Sequence, residues 1–512
     1  MAESPNYIVV QAGGRGSRME LLTRNKPKAL VPIENRPMLF HLFQKFPAAH
    51  FILIGDYKCD VLERYLAAFA GDVSYEIVRA TGGKGTCAGL RAAFERVPAG
   101  ERFLLIWCDL ILAKDWLLPT GDADYVGIAD GFSCRWRFAD GRFSETASRD
   151  HGVTGAFLFQ DKTLLADVPL AGEFVAYLDE LAARGHAFRP MKLMGAREYG
   201  HYSDWEKLPR MKWRPFNRLE VRGDRVYKMG IDAQGLALGK RESNWYRQIA
   251  QAPFKNLPHV YEYEPLVMEW IDGKNIYEYT YLPQDRKRQI LEEIIGCLRA
   301  LHALGSVEAD VESYREAYLG KTYARLAKVR ALVPFADAET VVINGRRCRN
   351  IFFQQEAVDR LVMQYVPDAF VFLHGDPTFS NMMLRHDTEP VLIDPRGYFG
   401  TTEIYGDAAY DWVKLYYSLV SNYDQFNLKR FALDIRADGV MLQVASSNWE
   451  DMEDDFFALL AGEVTRAQMK LLLALTWLSL TTYAWEDYDS ICGAFYQGVY
   501  LLEEALAMEE EK

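Results

Sequence analysis

Residues 7–33 read YIVVQAGGRGSRMELLTRNKPKALVPI, and they are the most informative segment for the fold of the N-terminal part of the chain. A run of β-branched residues leads into a glycine-rich loop, which predicts a strand and then a turn whose backbone N–H groups can approach a phosphate closely. An ordinary tight turn is the alternative interpretation. The residues of this loop that we predict to bind a nucleotide are Ala12, Gly13, Gly14 and Gly16.

The segments that follow this loop alternate between β-rich and helix-like patterns. Apolar β-rich runs recur at 51–55, 75–79 and 103–108. They are separated by helix-like stretches at 59–70 and 88–96. This alternation is typical of βαβ units around a parallel sheet. We therefore predict an α/β protein with a Rossmann-like N-terminal domain over residues 1–212.

Two cations, Arg18 and Lys28, follow the glycine loop. Such side chains offset the negative charge that develops as pyrophosphate leaves a triphosphate, so the predicted site stabilises charge and offers no nucleophile. The segment AGGRGSRMELLTRNKPKALVPI resembles the opening signature of the sugar-phosphate and phosphocholine-type nucleotidyltransferases, the MobA-like NTP transferases. The resemblance implies that Arg18 and Lys28 are catalytic residues that engage the triphosphate and the incoming phosphate.

The same resemblance implies a metal site and a base-contacting loop. Asp109 ends the run LLIWCD, at the carboxyl end of a predicted strand. In the family, an acidic residue at this position holds Mg²⁺. The residue before it is Cys108, whereas family members usually have glycine there. Asp204 is the second predicted metal ligand, and Gly85 in GGKGTCA falls where the family contacts the base. Helix N-capping is the alternative role for both aspartates.

A second constellation, HGDPTFSN at residues 374–381, follows a β-rich run, and the run LID ends at Asp394. Asp376 can accept a hydroxyl proton, while Asn381 and Asp394 can hold Mg²⁺ around one phosphoryl group. This arrangement resembles the catalytic loop of the choline kinase and aminoglycoside phosphotransferase family, which is related to the protein kinases. The resemblance implies Asp376 as the catalytic base, Asn381 and Asp394 as metal ligands, and His374 as a scaffold for the loop.

The resemblance also implies a small lobe before the catalytic loop, and its parts occur in the expected order. FNRLEVRGDRVYKMG predicts two strands around a turn, with Lys228 at the end of the second, and Glu242 follows in a helix-like segment. In this fold the strand Lys binds the ATP phosphates and the helix Glu holds it. Met268 and Ile271, in VMEWI, resemble the hinge that receives adenine. The predicted second domain is a bilobal protein-kinase-like domain over 213–512, with lobes at about 213–272 and 273–512.

Two features of the C-terminal part bear on the acceptor of the predicted kinase. After Asp394 the chain reads PRG, where aminoglycoside kinases commonly have an aromatic and acidic pair. Asp407 and Asp411, in GDAAYDWVKL, are expected near the acceptor pocket. Aromatic residues at helical spacing predict core packing, with a cage for a quaternary ammonium as the alternative. These residues are Trp412, Tyr416, Tyr417, Trp449, Trp477, Tyr483 and Trp485.

The composition excludes several classes of protein. A chain of 512 residues exceeds what one hydrophobic core serves, and its net charge of −12 opposes a general nucleic-acid binder. The seven cysteines form no CxxC pair, which favours reduced thiols over zinc or disulfides. Neither a membrane-length apolar run nor a signal-peptide pattern is seen at the sequence level, so we expect a cytoplasmic enzyme with no membrane span and no nucleic-acid partner.

Together these features predict a bifunctional enzyme that uses Mg²⁺, ATP and a second nucleoside triphosphate. The kinase would phosphorylate a choline-, ethanolamine-, glycerol- or sugar-like alcohol, and the transferase would couple that phosphate to a nucleotide with release of pyrophosphate. The resemblance implies CTP as the preferred nucleotide, with UTP and GTP as alternatives. It also implies that the product is used in the synthesis of surface polysaccharides such as capsules. Two alternatives are a regulatory pseudoenzyme in one half and two halves with unrelated substrates. The sequence leaves the oligomeric state open.

Overall fold

The computed structural model describes residues 5–80, 83–208 and 217–510. The chain divides into two compact units, which comprise Met1–Pro209 with Glu486–Tyr488, and Arg210–Trp485 with Asp489–Lys512. The predicted domain boundary near residue 212 lies outside the described residues. Within those residues, no helix combines the length and the apolar character needed to cross a membrane.

The first unit is built on a seven-stranded sheet. Its strands in chain order are β1 (Tyr7–Gln11), β2 (His50–Gly55), β3 (Tyr75–Arg79), β4 (Phe103–Trp107), β5 (Asp124–Ile128), β6 (Val153–Phe159) and β7 (Phe188–Lys192). Their order across the sheet is β7-β5-β6-β4-β1-β2-β3. The strands from β4 to β3 are parallel, as is the β5–β7 pair, whereas β6 runs antiparallel to both of its neighbours. This sheet confirms the predicted Rossmann-like α/β fold.

Helices and short hairpins complete the first unit. The helices are α1 (Met38–Lys45), α2 (Cys59–Phe69), α3 (Leu90–Arg96), α4 (Phe174–Ala183) and α5 (Tyr202–Glu206). The short strand pairs are Pro32–Ile33 with Arg36–Pro37, Leu110–Ile111 with Arg197–Glu198, and Arg137–Ala139 with Arg142–Ser144. 3₁₀ segments lie at Ser17–Thr23, which is kinked at Glu20, at Lys28–Leu30 and at Lys162–Leu165.

The sequence of β1 explains its central place in the sheet. Ile8, Val9 and Val10 are fully buried, as expected for a strand covered on both faces. Because β1 and β4 are parallel neighbours, the loops that follow them emerge at the same edge of the sheet. That edge therefore carries both the glycine loop and Asp109.

The second unit begins with an antiparallel sheet of four strands. In chain order they are β8 (Asn217–Arg222), β9 (Arg225–Gly230), β10 (Val260–Tyr263) and β11 (Leu266–Glu269), and their order across the sheet is β8-β9-β11-β10. Helix α6 (Ala233–Ile249) follows β9, and Asp232 caps it by accepting a hydrogen bond of 2.7 Å from the Gly235 N–H. A small sheet with one helix is the lobe that the sequence predicts.

The remainder of the second unit is mostly helical. Its helices are α7 (Gln284–His302), α8 (Val311–Arg315), α9 (Lys321–Val329), α10 (Gln355–Met363), α11 (Ala408–Ser421), α12 (Tyr423–Asn427), α13 (Glu453–Leu460), α14 (Arg466–Leu480) and α15 (Tyr488–Glu510). Short sheets join Gly273–Asn275, Met382–Arg385 and Glu389–Leu392; Ser306–Glu308, Ala369–Phe372 and Tyr405–Gly406; Thr340–Ile343, Arg346–Arg349, Phe431–Arg436 and Gly439–Val444; and Tyr398–Phe399 with Thr402–Glu403. The tryptophans at 412, 449 and 477 are buried, in agreement with the core interpretation.

Candidate active sites

A cavity of ≈ 830 Å³ lies in the first unit, where the loops after β1 and β4 meet the segment before α5. The predicted residues that line it are Gly13, Gly14, Gly16, Arg18, Lys28, Gly85, Asp109 and Asp204. Ala12 lies beneath the loop instead, fully buried, and its N–H donates a hydrogen bond of 3.0 Å to the Ile54 carbonyl. The structure thus brings all the predicted residues of this unit except Ala12 to one cavity.

Two of the loop glycines are required by close packing. A Cβ at Gly13 would lie 2.5 Å from the backbone nitrogen of Asp56, which is closer than atoms approach. Gly16 has φ +62°, and a Cβ there would lie 3.1 Å from the Cβ of Lys28. These glycines therefore allow the loop to fold tightly and to bring Lys28 against its inner side.

Lys28 and Asp109 form an ion pair at the floor of this cavity. Both residues are buried, with 7% and 8% of their surface exposed. A buried charge is costly unless a partner of opposite sign lies beside it, and each of these side chains is that partner for the other. The pair places one cation and one carboxylate together where a triphosphate and its metal are predicted to bind.

Glu198 is a cavity residue that sequence reasoning missed. Its short strand pairs with Leu110, directly after Asp109, and the N–H of Tyr199 donates to the Asp109 carbonyl at 3.0 Å. Burial, together with the Asp109 carboxylate, raises the pKa of Glu198 to about 7. The pairing joins segments that are far apart in the chain. The sequence therefore indicated Glu198 only as an acidic residue within REYGHYSD, with no motif around it.

Other polar groups of the cavity are also placed by distant segments. The guanidinium of Arg18 lies 2.9 Å from the Nε2 atom of His201, which precedes the helix that carries Asp204. The Nε1 atom of Trp107 and the Oγ1 atom of Thr154 are buried beside the cavity, and neither has a hydrogen-bond partner among the described residues. A polar ligand could satisfy both groups.

The oxygen donors of this cavity fit a magnesium ion shared with phosphates. The carboxylates of Asp109, Glu198 and Asp204 all line it. Across the described part of the chain, no three His, Cys, Asp or Glu side chains form a group that could hold a metal by themselves. Mg²⁺ needs only one or two carboxylates when substrate phosphates and water supply the remaining ligands.

In the second unit, buried polar contacts fix the loop at residues 374–381. Asp411, which is fully buried on α11, accepts hydrogen bonds from the backbone N–H groups of His374 at 3.0 Å and Gly375 at 2.7 Å. The His374 ring nitrogen Nε2 lies 3.0 Å from the Ile393 carbonyl. Asp411 was expected near the acceptor pocket, but its carboxylate holds the backbone of this loop.

Asp376 is held between an amide and an ammonium group. The Asn381 side-chain amide donates to the Asp376 carboxylate at 3.1 Å and to its carbonyl at 2.9 Å. The Lys414 Nζ atom lies 2.9 Å from the other carboxylate oxygen. Burial lowers the pKa of Lys414, but Asp376 and Tyr410 raise it above its ordinary value. Lys414 was missed by sequence reasoning, because α11 meets the loop only in the folded chain.

Lys228 joins the two remaining predicted carboxylates. It lies within β9, which continues to Gly230 beyond the predicted strand end, and its Nζ atom is 2.7 Å from Glu242 and 2.6 Å from Asp394. Burial lowers the pKa of Lys228, but the two carboxylates raise it above its ordinary value. The structure therefore brings the strand lysine, the helix glutamate and the predicted metal ligand to one point.

Asn381 and Asp394 offer oxygen atoms that suit Mg²⁺. The Ile393 N–H donates to the Asn381 carbonyl at 3.0 Å, which sets the two segments side by side. Because the Asn381 amide nitrogen is engaged by Asp376, its side-chain oxygen is the atom left for a metal. One amide oxygen and one carboxylate, completed by ATP phosphates and water, form a set that fits Mg²⁺.

The predicted hinge residues lie next to the lysine strand. Met268 in β11 is opposite Val226 in β9, and both Met268 and Ile271 are buried. The Trp270 N–H donates to the Asp224 carbonyl at 2.7 Å, so this backbone group is already used within the lobe. Adenine binding at Met268 and Ile271 stays a prediction.

We expect Glu242→Gln to raise the KM for ATP in the kinase reaction and to lower kcat/KM by at least ~10-fold, which corresponds to about 1.4 kcal/mol. The physical reason is that Lys228 would lose one of its two carboxylate partners and its fixed position. Initial-rate kinetics of ADP formation would measure both constants. The matched control is Glu262→Gln, an exposed residue of β10 in the same lobe. Equal kinetics for the two variants would contradict the role of Glu242.

The folds and sites of the two units define a chain that carries a nucleotidyltransferase domain and a phosphotransferase domain. Residues 8–120 match the family described as the MobA-like NTP transferase domain. Residues 236–439 match the family described as the Phosphotransferase enzyme family, abbreviated APH. Both are families of enzymes, and the two matches confirm the predicted fusion.

Curated relatives are found for part of the first unit. Over 125 residues the chain is 31% identical to a glucose-1-phosphate thymidylyltransferase from Streptomyces griseus, which covers 24% of this chain and 32% of that protein. Over 71 residues it is 32% identical to an N-acetylmuramate alpha-1-phosphate uridylyltransferase from Caulobacter vibrioides, which covers 13% of this chain and 29% of that protein. The chain thus spans about a third of the length of these relatives.

Solved structures similar to this chain include two nucleotidyltransferases. The inositol-1-phosphate CTP transferase from T. maritima is 13% identical, with a TM-score of 0.34, over 40% of this chain and 93% of that chain. The CTP:phosphocholine cytidylyltransferase from Streptococcus pneumoniae is 17% identical, with a TM-score of 0.32, over 40% of this chain and 98% of that chain.

Proposed function

We propose that this chain is a bifunctional enzyme that phosphorylates a small alcohol with ATP and then couples the new phosphate to a nucleotide. The observation that carries the proposal is that each unit contains a polar set suited to one of the two steps. Lys228, Glu242 and Asp394 converge in the second unit, and Lys28 pairs with Asp109 in the large cavity of the first.

The kinase step is a transfer of the γ-phosphoryl group. The acceptor hydroxyl oxygen bonds to the γ-phosphorus, the bond from that phosphorus to the ADP oxygen breaks, and Asp376 takes the hydroxyl proton. Lys228 offsets negative charge on the phosphates. Mg²⁺, held by Asn381 and Asp394 when bound, would neutralise further phosphate charge. Lys414, whose Nζ atom lies 2.9 Å from Asp376, holds the carboxylate in position beside the acceptor.

The transferase step is a displacement at the α-phosphorus of the second nucleotide. An oxygen of the alcohol phosphate bonds to the α-phosphorus, the bond to the β-phosphate oxygen breaks, and pyrophosphate leaves. Arg18 and Lys28 stabilise the charge that develops, and the glycine loop lets backbone N–H groups approach the phosphates. Mg²⁺ at Asp109, with Asp204 and Glu198 nearby, would supply further positive charge.

The order of the steps follows from their chemistry, because only kinase followed by transferase makes the product of one step the substrate of the other. CTP is the nucleotide that we propose, on the basis of the phosphocholine-type signature around residues 12–33. The two curated relatives are named for thymidylyl and uridylyl transfer, so dTTP and UTP belong in the same test. We place the enzyme in the cytoplasm, in the synthesis of activated groups for surface polysaccharides.

The proposal is tested by incubating the full chain with ATP and small alcohols, together with CTP, UTP, GTP or dTTP in turn. The alcohols are choline, ethanolamine, glycerol, glucose, glycerate, glucuronate and glycerol 3-phosphate, and mass spectrometry would identify the products. The expected result is one alcohol phosphate and its nucleotide conjugate. Phosphorylation without coupling would favour a regulatory first unit, and coupling of only an unrelated phosphate would favour two separate substrates.

Removal of the metal should stop both the kinase and the transferase reaction. Substitution of a metal-binding side chain at one site should stop only the reaction at that site. We expect a chelator to abolish ADP formation and pyrophosphate release, and added Mg²⁺ to restore both. Asp394→Ala should lower the kinase rate alone and Asp109→Ala the transferase rate alone, each by at least ~10-fold. Separate assays of ADP and of pyrophosphate would resolve the two effects. Either variant losing both activities while folded would count against two independent metal sites.

A further inference from the structure

A second, smaller cavity of ≈ 210 Å³ lies in the second unit beside the loop that carries Asp376. The polar residues that line it are Glu316, Lys321, Arg325, Arg396, Tyr398 and Tyr410. Its volume is below the range typical of drug-sized ligands, so it suits a small molecule or one end of a larger one. None of these residues was assigned a role by the sequence.

The walls of this small cavity carry three cations that lack carboxylate partners. Among the described residues, no Asp or Glu lies within ion-pair distance of Lys321, Arg325 or Arg396. Their hydrogen bonds are with hydroxyl and carbonyl groups: Lys321 with the Tyr410 hydroxyl at 3.3 Å, Arg325 with the Ser479 carbonyl at 2.5 Å, and Arg396 with the Tyr398 hydroxyl at 3.2 Å. The carboxylate that does line the cavity, Glu316, is exposed to solvent.

Clustered cations without counter-charges are costly where water is excluded. Burial, together with the nearby Arg396 and Arg325, lowers the pKa of Lys321 to about 8, with Tyr410 opposing that shift. Burial raises the pKa of the Tyr410 hydroxyl, but Lys321, Arg396 and Lys414 lower it to about 7. Even a phenolate at Tyr410 would balance only one of the three charges. The cavity therefore has a surplus of positive charge that a bound anion would neutralise.

The small cavity lies beside the loop that carries Asp376, because Arg396 in its wall contacts that loop. The Arg396 N–H donates to the His374 carbonyl at 2.8 Å, and a Cβ on Gly375 would lie 2.8 Å from the Cβ of Arg396. Lys414, which pairs with Asp376, has its Nζ atom 5.7 Å from the centre of the Tyr410 ring. Arg396 and Tyr410 therefore connect the wall of the small cavity to the loop and the lysine that contact Asp376.

We propose that the acceptor of the kinase is an anionic alcohol, whose carboxylate or phosphate group binds Lys321, Arg325 and Arg396 while its hydroxyl group faces Asp376. This inference rests on the proposed kinase function and names its class of substrate. The transfer is unchanged: the hydroxyl oxygen bonds to the γ-phosphorus, ADP leaves, and the proton goes to Asp376. The three cations are binding groups, and they act on the charged end of the acceptor rather than on the transferred phosphoryl group.

The same arrangement disfavours choline and ethanolamine. A cationic head group would be repelled by three like charges in a partly buried cavity. Three of the aromatic residues considered for a cage, Trp412, Trp449 and Trp477, lie in the core instead, with at most 1% of their surface exposed. The PRG sequence after Asp394 supplies Arg396, and this departure from the aminoglycoside kinases thereby changes the charge of the acceptor side.

The test compares acceptors that differ only in charge. Glucuronate is matched with glucose, glycerate with glycerol, and glycerol 3-phosphate provides the phosphate arm, with choline and ethanolamine as cations. ADP formation by the full chain at fixed ATP and Mg²⁺ gives kcat/KM for each acceptor. We expect the acidic member of at least one pair to exceed its neutral partner by about 10-fold or more, the effect of hydrogen bonds to a charged group. Comparing the two carboxylate acceptors with glycerol 3-phosphate then shows whether the site prefers a carboxylate or a phosphate group.

Variants of the cations test the site itself. Arg325→Gln and Lys321→Gln should each lower the acid-to-neutral ratio of kcat/KM by about 10-fold. This ratio is taken on one preparation, so partial unfolding cancels from it. Arg360→Gln, an exposed arginine of α10 outside the cavity, is the control and should leave the ratio unchanged.

Two outcomes would overturn the inference. A neutral or cationic acceptor that equals or exceeds every acidic one would contradict the anionic class while leaving the kinase proposal intact. An acid preference that persists in both variants would contradict the site. The absence of transfer to every alcohol would instead contradict the kinase proposal and, with it, the inference that depends on it.

Discussion

Asp376→Asn is expected to lower phosphorylation of the alcohol by at least ~10²-fold, because the amide cannot accept the hydroxyl proton. The transferase should be unaffected, since the base acts only within the second unit. The measurement is ADP formation with the unphosphorylated alcohol, followed by pyrophosphate release with the pre-phosphorylated alcohol. The variant should therefore fail the first assay and pass the second.

The control for this variant is Asp438→Asn, which changes an exposed aspartate of the same unit in the same way. It should keep both activities, so a deficit confined to Asp376→Asn reports on the site. A folded Asp376→Asn protein that loses both activities would contradict two separate sites. A kinase rate close to that of the unmodified chain would show that Asp376 is not the base.

Lys28→Ala and Arg18→Ala are each expected to lower pyrophosphate release by at least ~10²-fold, as when a charge-stabilising group is removed from a transition state. The kinase rate should not change. Lys28→Ala also leaves the buried Asp109 without its partner, so thermal unfolding of the variant must be measured beside its activity. Arg18 is exposed, and its variant tests the same role without that complication.

Lys114→Ala provides the matched control, because Lys114 is an exposed lysine of the first unit that does not line the large cavity. It should release pyrophosphate at the rate of the unmodified chain. If Lys28→Ala and Arg18→Ala do so as well, the triphosphate site has been assigned to the wrong loop. If all three variants lose activity together, the effect is one of folding.

Local patterns predicted the elements of this fold well, and the differences have physical causes. The strand expected from YIVVQA is β1, because its side chains are apolar and β-branched. The helix expected from residue 88 begins at Leu90, since Gly89 has φ +78° and cannot continue a right-handed helix backwards. The helix expected from GKRESNWYRQIA begins earlier, at Ala233, where Asp232 provides its cap. The antiparallel direction of β6 is set by its pairing in the sheet, which the local sequence does not indicate.

The candidate sites were predicted where their residues lie in contiguous motifs. The glycine loop and HGDPTFSN each hold several polar groups within a few residues, so short-range spacing was informative. Glu198, Lys414 and Lys321 were missed because each reaches its site from a distant segment through tertiary contacts. Asp411 was noticed, but its hydrogen bonds to the 374–375 backbone become visible only in the folded unit.

The central claim, that the two sites act in sequence, is tested most directly by following the γ-phosphoryl group of ATP. The full chain would be given γ-³²P ATP, unlabelled CTP, UTP, GTP and dTTP, and the best unphosphorylated acceptor of the alcohol panel. We expect the label to appear first in the alcohol phosphate and then in its nucleotide conjugate. We also expect Lys28→Ala to accumulate the labelled alcohol phosphate. Labelled alcohol phosphate that never enters a conjugate with any of these nucleotides would contradict the claim.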